Sequence, residues 1–163
     1  MVDIVNPENR SRMMAGVRGK DTKPEMIVRR ALFAEGMRFR LHRRDLPGTP
    51  DVVLPSSRVV VFIHGCFWHR HSECRLAKLP TSNAAFWRNK LDVNVERDHR
   101  AVEALVSAGW RVLIIWECAT RDKSIAPTLG MLARKWIEGS MTFGEIPISS
   151  PAHLSAFTRL NTS

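Results

Sequence analysis

The residues best suited to chemistry lie in one short stretch, His64-Gly65-Cys66-Phe67-Trp68-His69-Arg70-His71-Ser72-Glu73-Cys74, which holds three of the six histidines and two of the three cysteines. Thiolate and imidazole are the ligands that zinc prefers in closed, four-coordinate sites. Cys118 lies just past an apolar segment, so the three thiols with one histidine predict a Cys₃His zinc site. His71 is favoured because it lies between Cys66 and Cys74. The alternative is that the cysteines are buried apolar residues and the histidines lie at the surface.

A second candidate centre contains Asp51, which follows Pro47-Gly48-Thr49-Pro50 and opens an apolar segment. A carboxylate suits Mg²⁺, which takes oxygen ligands and keeps several waters. Hydrolysis of a phosphodiester needs a metal ion against the phosphate and a base for the attacking water. His69 fits the role of base because imidazole exchanges protons near neutral pH. The alternative for Asp51 is an ordinary turn at the start of a strand.

Phe67 and Trp68 are adjacent large aromatic residues within the histidine-rich stretch. Both cannot point into one core from a loop, so at least one is expected at the surface. Exposed aromatic rings beside basic residues suit stacking on bases or wedging between base pairs. Capping of a sheet edge is the alternative. Phe86 and Trp87 repeat the pairing on a predicted helix, where one of the two is expected in the core.

The composition is that of a basic globular protein. The 163 residues carry 25 Lys plus Arg against 16 Asp plus Glu, a formal net charge of +9. Such a charge favours a polyanionic partner, most simply nucleic acid, with an anionic lipid surface as the alternative. The longest apolar runs have five residues, far below the ~18 that a membrane span needs. No secretory signal is apparent and the number of cysteines is odd, so the cytoplasm is the expected compartment.

The elements that position these residues alternate between helix and strand. Thr22 and Glu25 form a capping box that predicts a helix from about Lys23 to Glu35, ended by Gly36. The apolar stripe of this helix is Ile27, Val28, Ala31 and Leu32. Further elements are predicted over residues 38–41 (strand), 83–108 (helix), 111–116 (strand) and 128–138 (helix, with Leu129, Leu132, Ala133 and Trp136 on one face). The pattern predicts a mixed α/β fold with a sheet covered by helices.

A hairpin is predicted where two segments rich in Val and Ile, residues 51–54 and 58–63, flank Pro55-Ser56-Ser57. If the turn spans residues 55–58, Asp51 lies opposite Phe62 and on the same side of the sheet as His64. A register slip of one residue would separate Asp51 from His64. Along the whole chain, we expect a basic N-terminal arm (1–22), a central domain (23–139) and a partly ordered C-terminal tail (140–163).

Six motifs occur in one order along residues 9–138. They are Arg10-Ser11-x-x-Met14, Asp21-Thr22-x-x-Glu25, Leu46-Pro47-Gly48-x-Pro50-Asp51, His64-Gly65-Cys66-Phe67-Trp68-His69, Asn94-Val95-Glu96-Arg97-Asp98 and Gly109-Trp110-Arg111-Val112-Leu113-Ile114-x-Trp116-Glu117-Cys118. In these motifs the sequence resembles the very short patch repair (Vsr) endonucleases, bacterial enzymes that nick DNA beside a T:G mismatch formed by deamination of 5-methylcytosine. The resemblance implies a restriction-endonuclease-like α/β core, related to the PD-(D/E)xK nucleases, with a central mixed sheet flanked by helices and a structural zinc site.

The resemblance also implies roles for residues in the two candidate centres. Mg²⁺ would be bound by Asp51 and by the backbone carbonyl of Ile63, His69 would be the general base, and His64 and Glu25 would support the site. The zinc ligands would be Cys66, His71, Cys74 and Cys118. The gap from His71 to Cys74 is one residue longer than the family pattern, which leaves His69 as an alternative ligand.

The DNA-contacting residues are implied in the same way. Phe67, Trp68 and Trp87 would wedge into the base stack from the major groove and Met14 from the minor groove, since a T:G wobble is easily deformed. The alternative for Met14 is that it fills a gap in the core from a short helix. The remaining implied DNA contacts are Arg10, Arg12, Arg18 and Lys20, which would clamp phosphates, and Asn94. The resemblance further suggests a monomer at the bacterial nucleoid and a MutL-type mismatch-repair ATPase as a partner.

Three functions follow as competing hypotheses. The leading one is a Mg²⁺-dependent endonuclease that nicks on the 5′ side of the T in a T:G mismatch, leaves a 5′-phosphate and so initiates very short patch repair. The second is a zinc-stabilised DNA-binding module without catalysis. The third is a nuclease of the same fold that acts on another lesion or on foreign DNA.

Overall fold

Five strands form one mixed sheet in a computed structural model that describes residues 19–147. The strands are Arg40–Leu41 (β1), Val52–Leu54 (β2), Val59–His64 (β3), Arg111–Trp116 (β4) and Phe143–Ile146 (β5). They lie side by side in chain order, with β1, β2 and β3 antiparallel and β3, β4 and β5 parallel. β3 and β4 are buried along almost their whole length, as parallel strands covered on both faces must be.

Helices cover both faces of the sheet. They are Lys23–Ala34 (α1), Ala84–Ser107 (α2), Glu117–Arg121 (α3) and Leu129–Glu138 (α4), with short 3₁₀ turns at Pro55–Ser57, Arg75–Ala77 and Ala126–Thr128. α1 and α4 pack on one face, where Leu32 and Ala133 belong to the same apolar cluster. α2 packs on the other face through Val102 and Leu105. Across residues 19–147, no helix combines the length and apolarity that crossing a membrane requires.

The start of α1 confirms the predicted capping box. The Thr22 side chain accepts a hydrogen bond from the backbone N–H of Glu25, and the Glu25 carboxylate accepts one from the backbone N–H of Asp21 at 2.9 Å. Val28 and Leu32 are fully buried, as the apolar stripe predicts. The helix ends one residue earlier than predicted, and Gly36 follows with φ +78°, the left-handed conformation that glycine adopts without strain.

The hairpin between β2 and β3 has the predicted register. Val52 pairs with Val61 and Leu54 with Val59, which places Asp51 opposite Phe62. The backbone N–H of Ile63 donates to Asp51 Oδ2 at 2.7 Å, so the carboxylate is bonded to the neighbouring strand. This register puts Asp51 and His64 at the same end of the sheet.

Two expectations are corrected by the structure, and one strand is added to those predicted. β1 has only two residues rather than the four of segment 38–41. Leu132 is 37% exposed, because the buried positions of α4 are Leu129, Gly130, Ala133 and Ile137 and Leu132 falls beside that stripe. β5 lies within the segment expected to be a C-terminal tail, and its Phe-Gly-Glu-Ile sequence lacks the β-branched run that marks the other strands.

Gly130 allows α1 and α4 to approach closely. A Cβ atom at this position would lie 2.6 Å from the backbone oxygen of Ala31. We expect Gly130→Ala to lower the free energy of unfolding by about 1–3 kcal/mol, the cost of overpacking a tight contact. Urea unfolding measures this change. Gly19→Ala is the matched control, because a Cβ there meets nothing within 4 Å; equal unfolding midpoints for the two variants would contradict the close contact.

Candidate active site and metal cluster

A cleft of about 820 Å³ opens at one end of the sheet and collects the predicted catalytic residues. His64 is the last residue of β3, and Asp51 immediately precedes the antiparallel strand β2, so both lie at the same edge. Such edges, where the carboxyl ends of parallel strands meet, are the usual ligand sites of α/β sheets. The predicted residues that line the cleft are Glu25, Asp51, Ile63, His64 and His69.

The carboxylate of Asp51 is partly buried and has no close cationic partner among residues 19–147. Its side chain is 18% exposed, and burial, opposed by the hydrogen bond from Ile63 N–H, raises its pKa to about 6. The negative charge of Glu25 adds to this effect. The nearest basic group facing Asp51 in the described part of the chain is His42, with Nδ1 4.0 Å from Oδ1.

The other acidic residues that line the cleft are each paired within the chain. Glu25 is bonded to Arg29 at 2.8 Å, Asp98 to His69 at 2.5 Å, and Glu117 to Arg121 at 2.5 Å. Asp51 is therefore the carboxylate whose charge an external cation would compensate. A hard, oxygen-seeking ion such as Mg²⁺ fits this donor.

His69 lies between a second imidazole and a carboxylate. Its ring stacks on that of His64, with centroids 3.8 Å apart and planes within 4°. Its Nδ1 lies 2.5 Å from Asp98 Oδ2. When Nδ1 donates to Asp98, Nε2 is the nitrogen that can accept a proton, which is the arrangement of a carboxylate-oriented general base.

Asp98, Arg29 and His42 are site residues to which the sequence analysis assigned no role. Asp98 is part of a recognised motif and lies one helical turn after Asn94 on α2, which is the signal that could have identified it. Arg29 is a charged residue on the buried face of α1, four residues after Glu25, and only 8% of it is exposed. No local pattern marks His42.

The cysteines and His71 converge as predicted. One ligand atom from each of Cys66, His71, Cys74 and Cys118 lies within 4.8 Å of the others, so this group could hold a metal ion. His71 Nδ1 is 3.6 Å from the Cys66 sulfur and 3.4 Å from the Cys118 sulfur. Tetrahedral zinc with its ordinary bond lengths separates such atoms by roughly 3.6 Å. His69, the alternative ligand, belongs instead to the cleft.

The thiol of Cys66 favours its protonated form. The hydrogen bond with Cys118, followed by burial, raises the pKa of Cys66 to about 12. A bound cation reverses this preference, because metal ligation requires the thiolate. The donor set thus has the chemistry of a soft-metal site.

Aromatic rings connect this metal cluster to the cleft. The ring of His71 stacks on Trp116 at 4.2 Å, with planes within 8°. Trp116 meets His64 edge-on at 5.3 Å, and His64 stacks on His69. A displacement of side chains at either site would therefore disturb the other site through these ring contacts.

A cluster of large aromatic rings lies beside the cleft. Phe67, Trp68 and Trp87 contact one another edge-to-face, with centroids 5.1–6.1 Å apart, and all three are half-buried. The expectation that one of Phe86 and Trp87 lies in the core is wrong, since Phe86 is 60% exposed and Trp87 is only half-buried. The reason is that the first buried residue of α2 is Leu91, one turn later.

Residues expected to bind DNA are placed only in part. Asn94 Nδ2 donates to the backbone oxygen of Trp68 at 3.2 Å, so its amide holds the loop that carries the aromatic rings. Lys20 is exposed at the start of the described region. Arg10, Arg12, Met14 and Arg18 lie outside the described residues.

Comparison with known proteins gives a consistent result. Residues 2–76 match the family model described as DNA mismatch endonuclease Vsr. The type II nicking enzyme V.XorIIP of Xanthomonas oryzae pv. oryzae is 51% identical over 75% of this chain and 89% of its own. The DNA mismatch endonuclease Vsr of Escherichia coli is 40% identical over 90% of this chain and 94% of its own. V.NmeAIP, a type II nicking enzyme of Neisseria meningitidis, is 42% identical over 77% and 89%.

Replacing Asp51 by Asn tests the burial of its charge. Because the pKa of Asp51 is raised from 3.8 to about 6, the folded protein binds this proton more tightly than the unfolded chain. The contribution of Asp51 to the free energy of unfolding therefore falls as pH rises through about 4 to 6. In Mg²⁺-free buffer, Asp51→Asn should exceed the wild type in stability by up to about 3 kcal/mol at pH 7.5, and by little below about pH 4.

Urea unfolding at a series of pH values measures the difference. Asp122→Asn is the control, because hydrogen bonds from Ser124 and Ile125 lower the pKa of the exposed Asp122, so that variant should gain no stability at neutral pH. An advantage of Asp51→Asn that does not change with pH would contradict the assignment.

Proposed function

Because this chain belongs to the Vsr family of DNA mismatch endonucleases, we propose that it nicks duplex DNA at a T:G mismatch, on the 5′ side of the mispaired T, in a Mg²⁺-dependent reaction that leaves a 5′-phosphate. The observation that carries the proposal is the meeting of Asp51 and His69 in one cleft beside the cluster of Phe67, Trp68 and Trp87. A metal-binding carboxylate and a proton acceptor are the groups that phosphodiester hydrolysis needs.

His69 is the proton acceptor in this proposal. Its Nδ1 is committed to Asp98, so Nε2 takes a proton from the attacking water. His64, 5% exposed, restrains the plane of the His69 ring by stacking on it. Asp51 and the backbone carbonyl of Ile63 would hold Mg²⁺, which would supply Lewis-acid stabilisation of the phosphate.

The aromatic cluster provides a means of recognising a mismatch. Phe67, Trp68 and Trp87 are half-buried beside the cleft, and Lys90 adds a cation 5.7 Å from the Trp87 ring centre. Inserting a ring between base pairs costs a few kcal/mol of stacking, and least at a mismatch. Recognition through deformation therefore favours a T:G wobble over a paired duplex. The basic residues of the N-terminal arm and Met14 complete the proposed DNA surface.

End-labelled duplexes that differ only in T:G, T:A or C:G at one position test this function. With Mg²⁺, the full chain should nick the T-containing strand of the T:G duplex alone. His69→Gln should reduce the rate by about 10²–10⁴-fold, the usual contribution of a general base, and Asp51→Asn at least as much. Asp122→Asn, whose carboxylate caps a surface turn, should nick at the wild-type rate.

Each alternative function has its own result in this experiment. Specific binding of the T:G duplex without cleavage, at any Mg²⁺ concentration, would identify a DNA-binding module. Equal cleavage of matched and mismatched duplexes would assign the nuclease to another target.

We also propose that the ion held by Cys66, His71, Cys74 and Cys118 is zinc and that its role is structural. The sulfur-to-nitrogen separations of 3.4 and 3.6 Å support zinc geometry. Four protein ligands would fill the tetrahedral coordination of the ion and leave no open position of the kind that a catalytic zinc needs.

Two variants separate the roles of the neighbouring residues. Cys74→Ser should lose the zinc and unfold at a lower temperature, since three ligands rarely retain a structural ion. His69→Gln should keep one zinc per chain and the wild-type melting temperature while losing activity. Elemental analysis by mass spectrometry and thermal unfolding measure both properties. Retention of a full equivalent of zinc by Cys74→Ser would overturn the ligand set.

A further inference from the structure

Arg29 is a buried cation that the proposed reaction does not use; it does not line the cleft itself but contacts Glu25 and His42, which do. Its side chain is 9% exposed. NH1 donates to Asp21 Oδ1 at 2.7 Å and NH2 donates to Glu25 Oε2 at 2.8 Å. The same NH2 lies 2.8 Å from His42 Nε2. One guanidinium thus joins two carboxylates and an imidazole.

The contact with Arg29 determines which nitrogen of His42 carries a proton. A guanidinium has five N–H donors and no acceptor, so His42 Nε2 must accept through its lone pair. A neutral imidazole then carries its single proton on Nδ1. This nitrogen is the one that lies 4.0 Å from Asp51 Oδ1. Arg29 therefore leaves the protonated nitrogen of His42 as the one nearest to the carboxylate proposed to bind Mg²⁺, at a separation longer than a direct hydrogen bond.

The backbone holds His42 in this position. Its φ is +46°, a conformation that few residues other than glycine adopt and that often marks functional sites. Its N–H donates to the backbone oxygen of Asp51 at 3.3 Å. Asp51 Oδ2 already accepts from Ile63 N–H, so the two carboxylate oxygens face different N–H groups.

We propose that Arg29 and His42 are positioning residues for the Mg²⁺ ligand: Arg29 holds His42 as the Nδ1–H tautomer, and His42 orients the Asp51 carboxylate. The inference rests on the proposed function, because orientation of Asp51 matters to catalysis only if its cleft cuts DNA. The role differs from that of Glu25, which the guanidinium neutralises directly.

The tautomer can be measured without activity. Long-range ¹H–¹⁵N spectra of the full chain at pH 8, without Mg²⁺, distinguish the two neutral forms of each histidine, and the signals missing in His42→Gln identify His42. We expect the Nδ1–H form in the wild type and a shift to Nε2–H, the usual preference of imidazole in water, in Arg29→Met. An Nε2–H or doubly protonated His42 in the wild type overturns the proposal, whether or not Arg29→Met folds.

The effect on the metal ligand is read from Mg²⁺ titrations of nicking. His42→Ala should raise the half-saturating Mg²⁺ concentration about three- to tenfold, the size expected for one polar contact, with the KM for DNA unchanged. His42→Gln keeps an N–H donor and should recover part of the loss. His99→Gln, on α2 and outside the cleft lining, is the matched control and should titrate as the wild type does.

The two proposals fail in different ways. If the wild type nicks the T:G duplex and His42→Ala shows the same Mg²⁺ dependence, the positioning role is wrong and the proposed function stands. If the wild type nicks no T:G duplex, the proposed function is wrong, and so is the catalytic consequence of the orientation, although the spectrum still decides the tautomer.

Discussion

The parallel pairing of β3 with β4 places His64 directly beside Trp116, and the thiol cluster and its contact with the cleft depend on this register. After β3 the chain turns into the loop that carries Cys66, His69 and His71, and after β4 it turns into α3 with Cys118. A shift of one residue between the strands would displace Cys118 by about 3.3 Å relative to the other thiols. It would also turn the Trp116 side chain to the opposite face of the sheet. Apolar burial of β3 and β4 on both faces is what makes such a shift costly.

The same register explains why the thiol cluster lies so close to the candidate catalytic cleft. His71 is anchored among the thiols, and its ring supports Trp116, which in turn meets His64. His69 is only two residues from His71 in the chain, yet its ring faces the opposite direction, toward Asp98 on α2. Closing the thiol cluster on an ion would therefore limit the motion of the loop from both ends, and with it the motion of His69.

Local patterns in the sequence predicted the elements and residues whose neighbours are close in the chain. The capping box, the 24-residue helix α2 and strand β4 were found because helix caps and apolar periodicity are short-range features. The thiol set was found because Cys66, His71 and Cys74 lie close together in the chain and Cys118 follows the end of a predicted strand. The hairpin register also followed, since the turn length determines which residues face each other. β5 was missed because Gly144, whose missing side chain makes room for the Trp136 ring, interrupts its apolar sequence.

The site residues that were missed depend on contacts between distant parts of the chain. Arg29 and His42 are 13 positions apart, and His69 and Asp98 are 29 apart. Nothing near His42 in the sequence indicates a partner, because its position follows from a left-handed backbone, from a backbone hydrogen bond to Asp51 and from the contact with Arg29 on α1. Asp98 had a motif to mark it but no pattern to assign its role.

The distribution of charge in the cleft indicates which charge an external ion would have to supply. The chain as a whole carries a net charge of +9, which attracts a polyanion over a distance of about one Debye length. Inside the cleft the balance is different, because Glu25, Asp98 and Glu117 are paired by residues of the chain. Within residues 19–147, the hydrogen bond that the Asp51 carboxylate accepts comes from a neutral backbone N–H. A phosphate approaching Asp51 would meet a like charge unless a divalent cation came between them. A divalent cation at Asp51 would therefore allow the phosphate of an anionic substrate to approach this carboxylate.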